Sequence, residues 1–349
     1  MNKKHTVLIV DDSAVMRQLL QSILSSDPAL EVIGTAPDPI VAQEKVLRLQ
    51  PDILTLDVEM PRMDGLTFLE KLMRARPMPV VMISSLTKRG CDATLRALEL
   101  GAVDYVAKPS NDVANGVSLM AAEIVSKVKA AIRARIRPVV RPAAQPPTSP
   151  RPAMYSSTHK VVAIGASTGG TEALKEVLVR MPPDSPGVVI VQHMPEQFTR
   201  AFAQRLDSLG RLRVSEARDG DRILPGHALL APGNFHMEVF RSGADQRVRI
   251  TTAERVNHHR PSVDVLFRSC ARHLGGNAIG VILTGMGNDG ASGMAEMART
   301  GAYNIAQDEA TSVIFGMPKE AISAGGVHEV LPLENIPGAI LKRIYATRN

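Results

Sequence analysis

Short apolar runs alternate with amphipathic stretches along most of this 349-residue chain. Five β-rich runs occur in its first part: "TVLIV", "EVIGTA", "DILTLD", "VVMIS" and "DYVAK". The stretches between them, such as "AVMRQLLQSIL", repeat apolar residues every three to four positions, which is typical of helices. Strands that alternate with helices predict a parallel sheet covered on both faces, so we expect an α/β domain.

The same alternation returns in the second part, with "KVVAIG", "GVVIVQ", "AIGVILTG" and "AYNIAQ" as buried-strand patterns. We therefore expect a second α/β domain with a doubly wound, mostly parallel sheet. Between the two parts, residues 138–158 contain six prolines and no periodicity, a composition typical of an extended tether. The predicted division is a first domain at 1–125, a helix end and Pro/Arg-rich linker at 126–158, and a second domain at 159–349.

Composition and charge narrow the function classes. Hydrophobic residues make up 44% and charged residues 22%, as in soluble globular proteins. Aromatic residues are only 3%, which argues against a surface that stacks nucleic-acid bases. The net charge is +6, yet eight Lys or Arg and no Asp or Glu lie between Ile124 and Thr171, so the basic character belongs to a helix end and the linker. We expect no nucleic-acid partner.

The chain also lacks the marks of a secreted or membrane protein. It has two cysteines, which imply no disulfide framework, and its N-terminus has no signal-peptide pattern. No apolar stretch approaches the roughly 18 residues of a membrane helix. We expect a cytoplasmic protein without membrane insertion.

Acidic residues mark the strand ends of the first domain. Asp11 and Asp12 follow the first strand pattern, and Asp57 ends the third. Ligands of parallel α/β sheets bind at the carboxyl ends of the strands, and carboxylates that converge there suit Mg²⁺. Ser84 and Lys108 follow two further strands at the same edge, where they supply a hydroxyl and a cation. Asp often only caps a helix, and Asp12 could cap the first one.

The stretch "VVAIGASTGGTEAL", residues 161–174, opens the second domain with a glycine-rich turn between a strand and a helix. Such a turn can bind phosphate at a helix N-terminus or expose a nucleophilic serine in a Gly-x-Ser-x-Gly motif. The phosphate-loop lysine is missing, and the glycine spacing does not fit a dinucleotide fingerprint. The motif from Gly165 to Gly169 favours Ser167 as a nucleophile.

A serine nucleophile needs a base and an orienting acid. His193 follows the strand pattern "GVVIVQ", and Asp289 lies in "MGNDG" after "AIGVILTG", so both are expected at the same edge as Ser167. Asp308 and Asp264 are alternative acids: Asp308 follows another strand pattern, and Asp264 lies near the pair His258-His259. The pair lacks the spacing of a zinc motif. The residues alone leave the triad open.

The ordered set Asp11-Asp12, Asp57, Ser84, Tyr105 and Lys108-Pro109 resembles the receiver domain of two-component response regulators. The resemblance implies a flavodoxin-like (βα)₅ fold in which Asp57 accepts a phosphoryl group from a histidine kinase. It further implies that Mg²⁺ is held by Asp11, Asp12, Asp57 and the backbone carbonyl of Glu59. Ser84 and Lys108 would contact the phosphoryl oxygens, and Tyr105 would change its packing during the switch.

Several motifs of the second domain resemble the catalytic domain of chemotaxis protein-glutamate methylesterases: "GASTGGTEAL", "QHMP", "FTRAFAQRL", "LPGHALLAPG", "HHRPSVDVLF", "VILTGMGNDGASGM" and "FGMPKEA". The resemblance implies hydrolysis of glutamate methyl esters, without a cofactor, by Ser167 as nucleophile, His193 as general base and acid, and Asp289 as orienting acid. The implied substrates are methylated chemoreceptor cytoplasmic domains, with deamidation of particular glutamines as a related reaction.

Two further groups of residues are expected near the substrate. The resemblance implies that the Met286 backbone N–H stabilises the oxyanion, and the Thr168 N–H is a second candidate by analogy with other serine turns. His259, Arg260 and Ser262 either line the substrate cleft or have a purely structural role.

The two domains together predict regulation by phosphorylation. We expect a monomer whose receiver covers the catalytic edge until a chemotaxis histidine kinase phosphorylates Asp57. The alternatives are a response regulator that binds DNA and an adaptor that only binds receptors, neither of them a hydrolase. The second domain shows no helix-turn-helix pattern, which disfavours DNA binding.

Overall fold

The computed structural model describes residues 4–60, 63–85, 87–108, 113–136 and 159–345. The chain divides into two compact units, Met1–Arg141 and Pro142–Asn349. The Pro-rich segment 138–158 lies outside the described residues, so the boundaries of the linker stay a prediction. Within the described ranges, no helix is both long and apolar enough to cross a membrane.

The first unit is a parallel sheet of five strands with the order β2-β1-β3-β4-β5, which is the flavodoxin-like order. Its elements are β1 (His5–Val10), α1 (Ala14–Ser25), β2 (Leu30–Ala36), α2 (Pro39–Leu49), β3 (Ile53–Asp57), α3 (Gly65–Ala75), β4 (Val80–Ser84), α4 (Lys88–Glu99), β5 (Asp104–Ala107) and α5 (Val113–Ile132). All five predicted strands form, and the predicted fold of this domain is confirmed. The central strands β3 and β4 are buried along their whole length, as expected for strands covered on both faces.

The start of α1 corrects one expectation about the acidic residues. Its N-cap is Ser13, whose side chain accepts a hydrogen bond from the Met16 N–H at 3.3 Å, rather than Asp12. Asp11 fixes the approach to this helix, since its Oδ1 accepts from the Ser13 N–H at 2.9 Å. The carboxylate of Asp12 is therefore left exposed at the edge of the sheet.

The second unit contains a sheet of seven parallel strands with the order β14-β13-β12-β6-β7-β9-β8, and a separate antiparallel pair β10-β11. Its strands are β6 (Val161–Ala166), β7 (Gly187–Gln192), β8 (Arg213–Glu216), β9 (His227–Leu230), β10 (His236–Ser242), β11 (Asp245–Thr251), β12 (Ala278–Ile282), β13 (Tyr303–Gln307) and β14 (Glu329–Leu331). Its α-helices are α6 (Gly170–Val179), α7 (Glu196–Leu209), α8 (Val263–His273), α9 (Ala291–Arg299), α10 (Met317–Ser323) and α11 (Ile336–Tyr345). The predicted doubly wound α/β fold is confirmed.

The strand order places three loops side by side. Strand β6 pairs with β7 on one side and with β12 on the other. The chain therefore leaves β6 in one direction and returns on its opposite flank, which makes the carboxyl end of β6 a topological switch point. The loops that follow β6, β7 and β12 meet there, above strands that are entirely buried.

Candidate active site and phosphoacceptor site

Ser167 lies directly after β6, in a turn held by main-chain hydrogen bonds. Its N–H donates to the Thr284 carbonyl at 3.0 Å, and its carbonyl accepts from the Gly170 N–H at 2.7 Å. Gly169 takes a left-handed conformation with φ +76°, which turns the chain into α6. The turn leaves Ser167 partly exposed between two buried neighbours, Ala166 and Thr168.

His193 follows β7 and lies against the same turn. Its N–H donates to the Ala166 carbonyl at 3.1 Å, and its Nε2 is 2.8 Å from Asp289 Oδ2. The other ring nitrogen, Nδ1, is buried and has no hydrogen-bond partner among the described residues. The ring of His259 stacks on the His193 ring, with 3.6 Å between centroids and 11° between planes. Stacking and the carboxylate fix the plane of the imidazole, and Nδ1 is the nitrogen left to take up a proton.

Asp289 accepts hydrogen bonds on both of its carboxylate oxygens. It lies in the loop after β12 and is only 1% exposed. Besides His193, its donors are Ser262 Oγ (2.7 Å) and Asn257 Nδ2 (2.8 Å) to Oδ1, the Val263 N–H (2.7 Å) to Oδ2, and the Asp264 N–H (3.2 Å) to Oδ1.

These donors decide the charge of Asp289. Burial is the largest influence and on its own would raise its pKa, but the hydrogen bonds from His193, Asn257 and Ser262 hold the pKa of this carboxyl well below its usual range. Asp289 is therefore ionised at neutral pH, and His193 Nε2 must carry the proton that the carboxylate accepts.

The two alternative acids have other partners. Asp264 accepts from the Gly293 N–H at 2.7 Å and from Asn257 Nδ2 at 2.8 Å. Asp308 accepts from the Thr311 N–H at 2.8 Å and so closes a local turn. Of the three candidate acids, Asp289 is the one bonded to His193.

The loop after β12 also touches the serine. A Cβ added at Gly285 would lie 2.8 Å from Ser167 Cβ and 2.3 Å from Met317 Sδ, so the loop passes the serine at a distance that only glycine permits. Met286 follows directly and has an exposed side chain. In the same loop, Thr284 Oγ1 donates to the Thr168 carbonyl at 3.0 Å. The backbone N–H groups of Met286 and Thr168 stay predicted oxyanion donors.

The three residues expected near the cleft have different contacts. His259 lies on the imidazole of His193, and Ser262 donates to Asp289. The Arg260 guanidinium instead donates to Asn234 Oδ1 at 2.8 Å and to the Thr252 carbonyl at 2.9 Å, contacts that hold two loops together.

Two polar residues of the site escape sequence reasoning. Asn257 has a positive φ of 52°, and its amide nitrogen bridges the carboxylates of Asp264 and Asp289. Gln192 is buried and donates from Nε2 to the carbonyls of Ser167 and His193. The sequence feature that could have indicated Gln192 is its position directly before His193 in "QHMP". For Asn257 the sequence offers only its position next to His258-His259.

The acidic residues of the first unit converge as predicted. Asp11, Asp12 and Asp57 each offer a carboxylate oxygen within 4.8 Å of the others. Lys108 Nζ lies 2.8 Å from Asp57 Oδ2 and 3.2 Å from Asp11 Oδ2. Burial, the largest influence, raises the pKa of Asp57 to about 6, although Lys108 acts in the opposite direction. The crowded oxygens suit a hard cation such as Mg²⁺.

Glu59 is the fourth predicted metal ligand, through its carbonyl. Its N–H lies 3.4 Å from Asp57 Oδ1, so this residue is next to the acidic cluster. The ligand role of its carbonyl stays a prediction.

Of the predicted switch residues, Ser84 ends β4 and Tyr105 lies within β5. The hydroxyl of Ser84 is buried; it accepts from Thr94 Oγ1 at 2.5 Å and lies 3.2 Å from the Gly90 carbonyl. Tyr105 is buried as well, and Lys127 Nζ donates to its carbonyl at 2.6 Å and lies 4.9 Å from the ring centroid. These contacts hold both side chains within the domain, and their switch roles stay predictions.

The fold and the acidic cluster define the class of the protein: a response regulator with a second α/β domain as its output. The response regulator receiver family matches residues 7–115, and the CheB methylesterase family matches residues 162–340. The output domain is thus of an enzyme family, which speaks against the DNA-binding alternative.

Relatives extend this similarity over nearly the whole chain. It is 57% identical to a protein-glutamate methylesterase/protein-glutamine glutaminase of Nitrosomonas europaea, over 98% of this chain and 97% of the relative. It is 59% identical to protein-glutamate methylesterase/protein-glutamine glutaminase 2 of Pseudomonas aeruginosa, over 97% and 96%. The crystal structure of the Thermotoga maritima CheB methylesterase catalytic domain matches with a TM-score of 0.52 and 39% identity, covering 52% of this chain and 97% of that one. The chain belongs to the protein-glutamate methylesterase/protein-glutamine glutaminase family, and the predicted family is confirmed.

Proposed function

We propose that this chain is a phosphorylation-activated esterase that hydrolyses glutamate methyl esters on the cytoplasmic domains of chemoreceptors. One observation carries the proposal: His193 has an ionised, buried Asp289 on Nε2 and an unbonded Nδ1, beside the turn that exposes Ser167. This is the arrangement that a serine nucleophile needs. The names of the relatives support the substrate class and the related glutaminase reaction.

In the proposed mechanism, Ser167 Oγ attacks the ester carbonyl while His193 Nδ1 takes the serine proton. Asp289 holds the other N–H of the ring and stabilises the imidazolium that forms. The N–H groups of Met286 and Thr168 bind the oxyanion of the tetrahedral intermediate.

The imidazolium then returns the proton to the departing methoxide, and methanol leaves an acyl-enzyme. Water attacks the acyl group with His193 again as base, which releases the glutamate carboxylate and restores Ser167. With a glutamine side chain the departing group is ammonia, so the same residues carry out deamidation. No step requires a cofactor.

In the receiver we propose that Asp57 accepts a phosphoryl group from a chemotaxis histidine kinase. Mg²⁺ would be held by Asp11, Asp12, Asp57 and the Glu59 carbonyl, and its chemistry is to neutralise charge on the transferring phosphoryl group. Lys108 binds a phosphoryl oxygen, and Ser84 supplies a hydroxyl once it is released from Thr94.

The nucleophile is tested by labelling the intact chain with a fluorophosphonate and mapping the modified peptide by mass spectrometry. We expect the label on Ser167, and we expect Ser167→Ala to lower methanol release by about 10⁴-fold or more. Ser208→Ala, an exposed serine on α7, is the matched control and should keep full activity. Methanol release that survives in Ser167→Ala would favour an adaptor that only binds receptors, with a contaminating activity.

The switch is tested with Asp57→Asn. This variant should keep basal hydrolysis and lose the increase caused by a small phosphodonor such as acetyl phosphate. An increase that persists in Asp57→Asn would show that activation does not proceed through this carboxylate.

A further inference from the structure

Gln192 is a buried amide at the end of β7, between the proposed nucleophile and the proposed base. Its side chain is 3% exposed. Its Nε2 donates to the Ser167 carbonyl at 2.9 Å and to the His193 carbonyl at 3.2 Å. A single amide nitrogen therefore joins the main chain of the two residues whose side chains must meet.

The bond from Gln192 to the Ser167 carbonyl lies where the pairing of β6 with β7 ends. The parallel ladder between β6 and β7 has Ala166 opposite Gln192 as its last pair. One further main-chain bond, from the His193 N–H to the Ala166 carbonyl, lies beyond it. The main chain of Ser167 faces β12 instead, since its N–H donates to the Thr284 carbonyl, and its own carbonyl accepts from the Gly170 N–H. The Gln192 amide adds the bond that joins this carbonyl to the end of β7.

The oxygen of the Gln192 amide differs from its nitrogen in its hydrogen bonding. Gln192 Oε1 is buried and has no hydrogen-bond partner among the described residues. A buried acceptor without a partner costs folding free energy, which an apolar side chain of the same length would avoid. The start of α6 also leaves room for this oxygen, since a Cβ at Gly170 would lie 2.2 Å from Oε1. The unpartnered Oε1 thus offsets part of the free energy that the two Nε2 bonds contribute to folding.

We infer that Gln192 is a positioning residue: it holds the main chain of Ser167 and His193 at the separation that lets Oγ and Nδ1 meet. The inference rests on the proposed function. Gln192 does not touch the substrate and takes no part in proton transfer. Its loss lets the nucleophile turn move relative to the strand end that bears His193, and a displacement of about 1 Å in such a site costs about 10²-fold in rate.

Asn304 offers a matched control in the same sheet. It lies near the amino end of β13, away from the switch point, and is fully buried. Its Nδ2 donates to two carbonyls, of Met294 at 2.8 Å and of Gly326 at 2.7 Å, and its Oδ1 lacks a partner among the described residues. Replacing either amide therefore removes the same kind of two-carbonyl bridge.

The experiment compares Gln192→Met with Asn304→Leu in the full chain, well below both unfolding temperatures. The readouts are kcat and KM for methanol release from methylated receptor membranes, and the rate at which a fluorophosphonate labels Ser167. We expect Gln192→Met to lower kcat and the labelling rate together by about 10- to 100-fold with KM unchanged. Asn304→Leu should lose thermal stability and keep both rates.

Two results would overturn the inference. One is a Gln192→Met enzyme with kcat and labelling within about twofold of the unmodified chain. The other is an equal loss in Asn304→Leu, which would assign the effect to general destabilisation. If Gln192→Met fails to fold, the isosteric Gln192→Glu takes its place with Asn304→Asp as control. We expect the same difference between the two variants, because a carboxyl group has at most one hydrogen to donate and cannot replace both bonds of the amide NH₂. A wild-type activity that survives in Ser167→Ala would instead overturn the proposed function itself.

Discussion

Asp289→Asn changes one atom of the proposed triad and reverses a hydrogen bond. Every described partner of the carboxylate is a donor, so an amide NH₂ meets a donor in either orientation. Placed at Oδ1 it faces three donors, Ser262, Asn257 and the Asp264 N–H, so the orientation with NH₂ at Oδ2 sets fewer donors against it. Placed at Oδ2 it faces the Val263 N–H and His193 Nε2.

The magnitude follows from the tautomer of His193. An NH₂ group at Oδ2 cannot accept from Nε2–H, so the imidazole takes the tautomer with the proton on Nδ1. That nitrogen then cannot take the proton of Ser167. In serine triads this exchange costs about 10⁴ in kcat, which corresponds to about 5.5 kcal/mol in the barrier. The unmatched donor at Val263 costs a further 1–3 kcal/mol, roughly, in the free energy of unfolding.

The assay is steady-state methanol release, with urea unfolding of the same samples. Asp308→Asn is the control: Asp308 is the alternative acid at this edge of the sheet, it accepts from Thr311, and it is not bonded to His193. We expect kcat to fall by about 10⁴ in Asp289→Asn and to stay near wild type in Asp308→Asn. A kcat within about tenfold of wild type in Asp289→Asn, or an equal fall in Asp308→Asn, would refute the assignment of the acid.

Three further predictions concern acid stability, a close approach and the metal. The pKa of Asp289 in the folded protein lies below its unfolded value near 3.8. The stability that ionised Asp289 contributes is therefore complete above pH 3.8 and is lost as the pH falls below that value. Urea unfolding of wild type at pH 7 and pH 3 should show this loss. Gly285→Ala should lower kcat by about tenfold or more, because the added Cβ would collide with Ser167 and Met317. Crowding of this kind also lowers the free energy of unfolding by about 1–3 kcal/mol, which thermal unfolding can measure. Chelation of Mg²⁺ should abolish activation by acetyl phosphate and leave basal methanol release unchanged.

Each of these predictions has its own control. Asp289→Asn should lose less stability than wild type between pH 7 and pH 3, and an identical loss in both proteins would contradict the depressed pKa of Asp289. Gly338→Ala, where an added Cβ has no heavy atom within 4 Å, should keep kcat; an active Gly285→Ala would argue against the close approach. Activation that survives chelation would exclude the acidic cluster as a metal site needed for phosphorylation.

The central strands were predictable because they are buried on both faces and read as continuous apolar runs. Strands β8 and β14 were missed because they are short, partly exposed edge strands. Strand β9 lies inside the sheet and was missed because its run, "HALL", is only four residues long. The pair β10-β11 was missed for another reason. The segments "HMEVFRS" and "DQRVRIT" carry polar residues along most of their length, and their fully buried apolar residues are Met237, Val239 and Val248 alone.

Candidate catalytic residues were predictable where a chemical side chain directly follows a central strand. Ser167 and His193 do so, and the strand order brings them to one edge. Choosing among Asp289, Asp264 and Asp308 needs side-chain distances, since all three lie near that edge in the sequence pattern.

The supporting residues of the site could not be predicted. Asn257 reaches the carboxylates of Asp264 and Asp289 from a backbone with positive φ, which hydrophobic periodicity does not predict. Gln192 donates to main-chain carbonyls, which every residue has, so no side-chain pattern marks its partners. The hydroxyl of Ser84 was predicted to face the phosphoryl group, whereas its bond to Thr94 is set by the packing of α4 on β4.

The central claim is that phosphorylation of Asp57 raises the rate at which Ser167 of the same chain hydrolyses its ester substrate. Methanol release from membranes bearing methylated receptors, with and without acetyl phosphate, tests it most directly. The account predicts release that rises with the phosphodonor in the intact chain and is absent in Ser167→Ala under both conditions. No release from the intact chain, or release that is independent of Ser167, would contradict it.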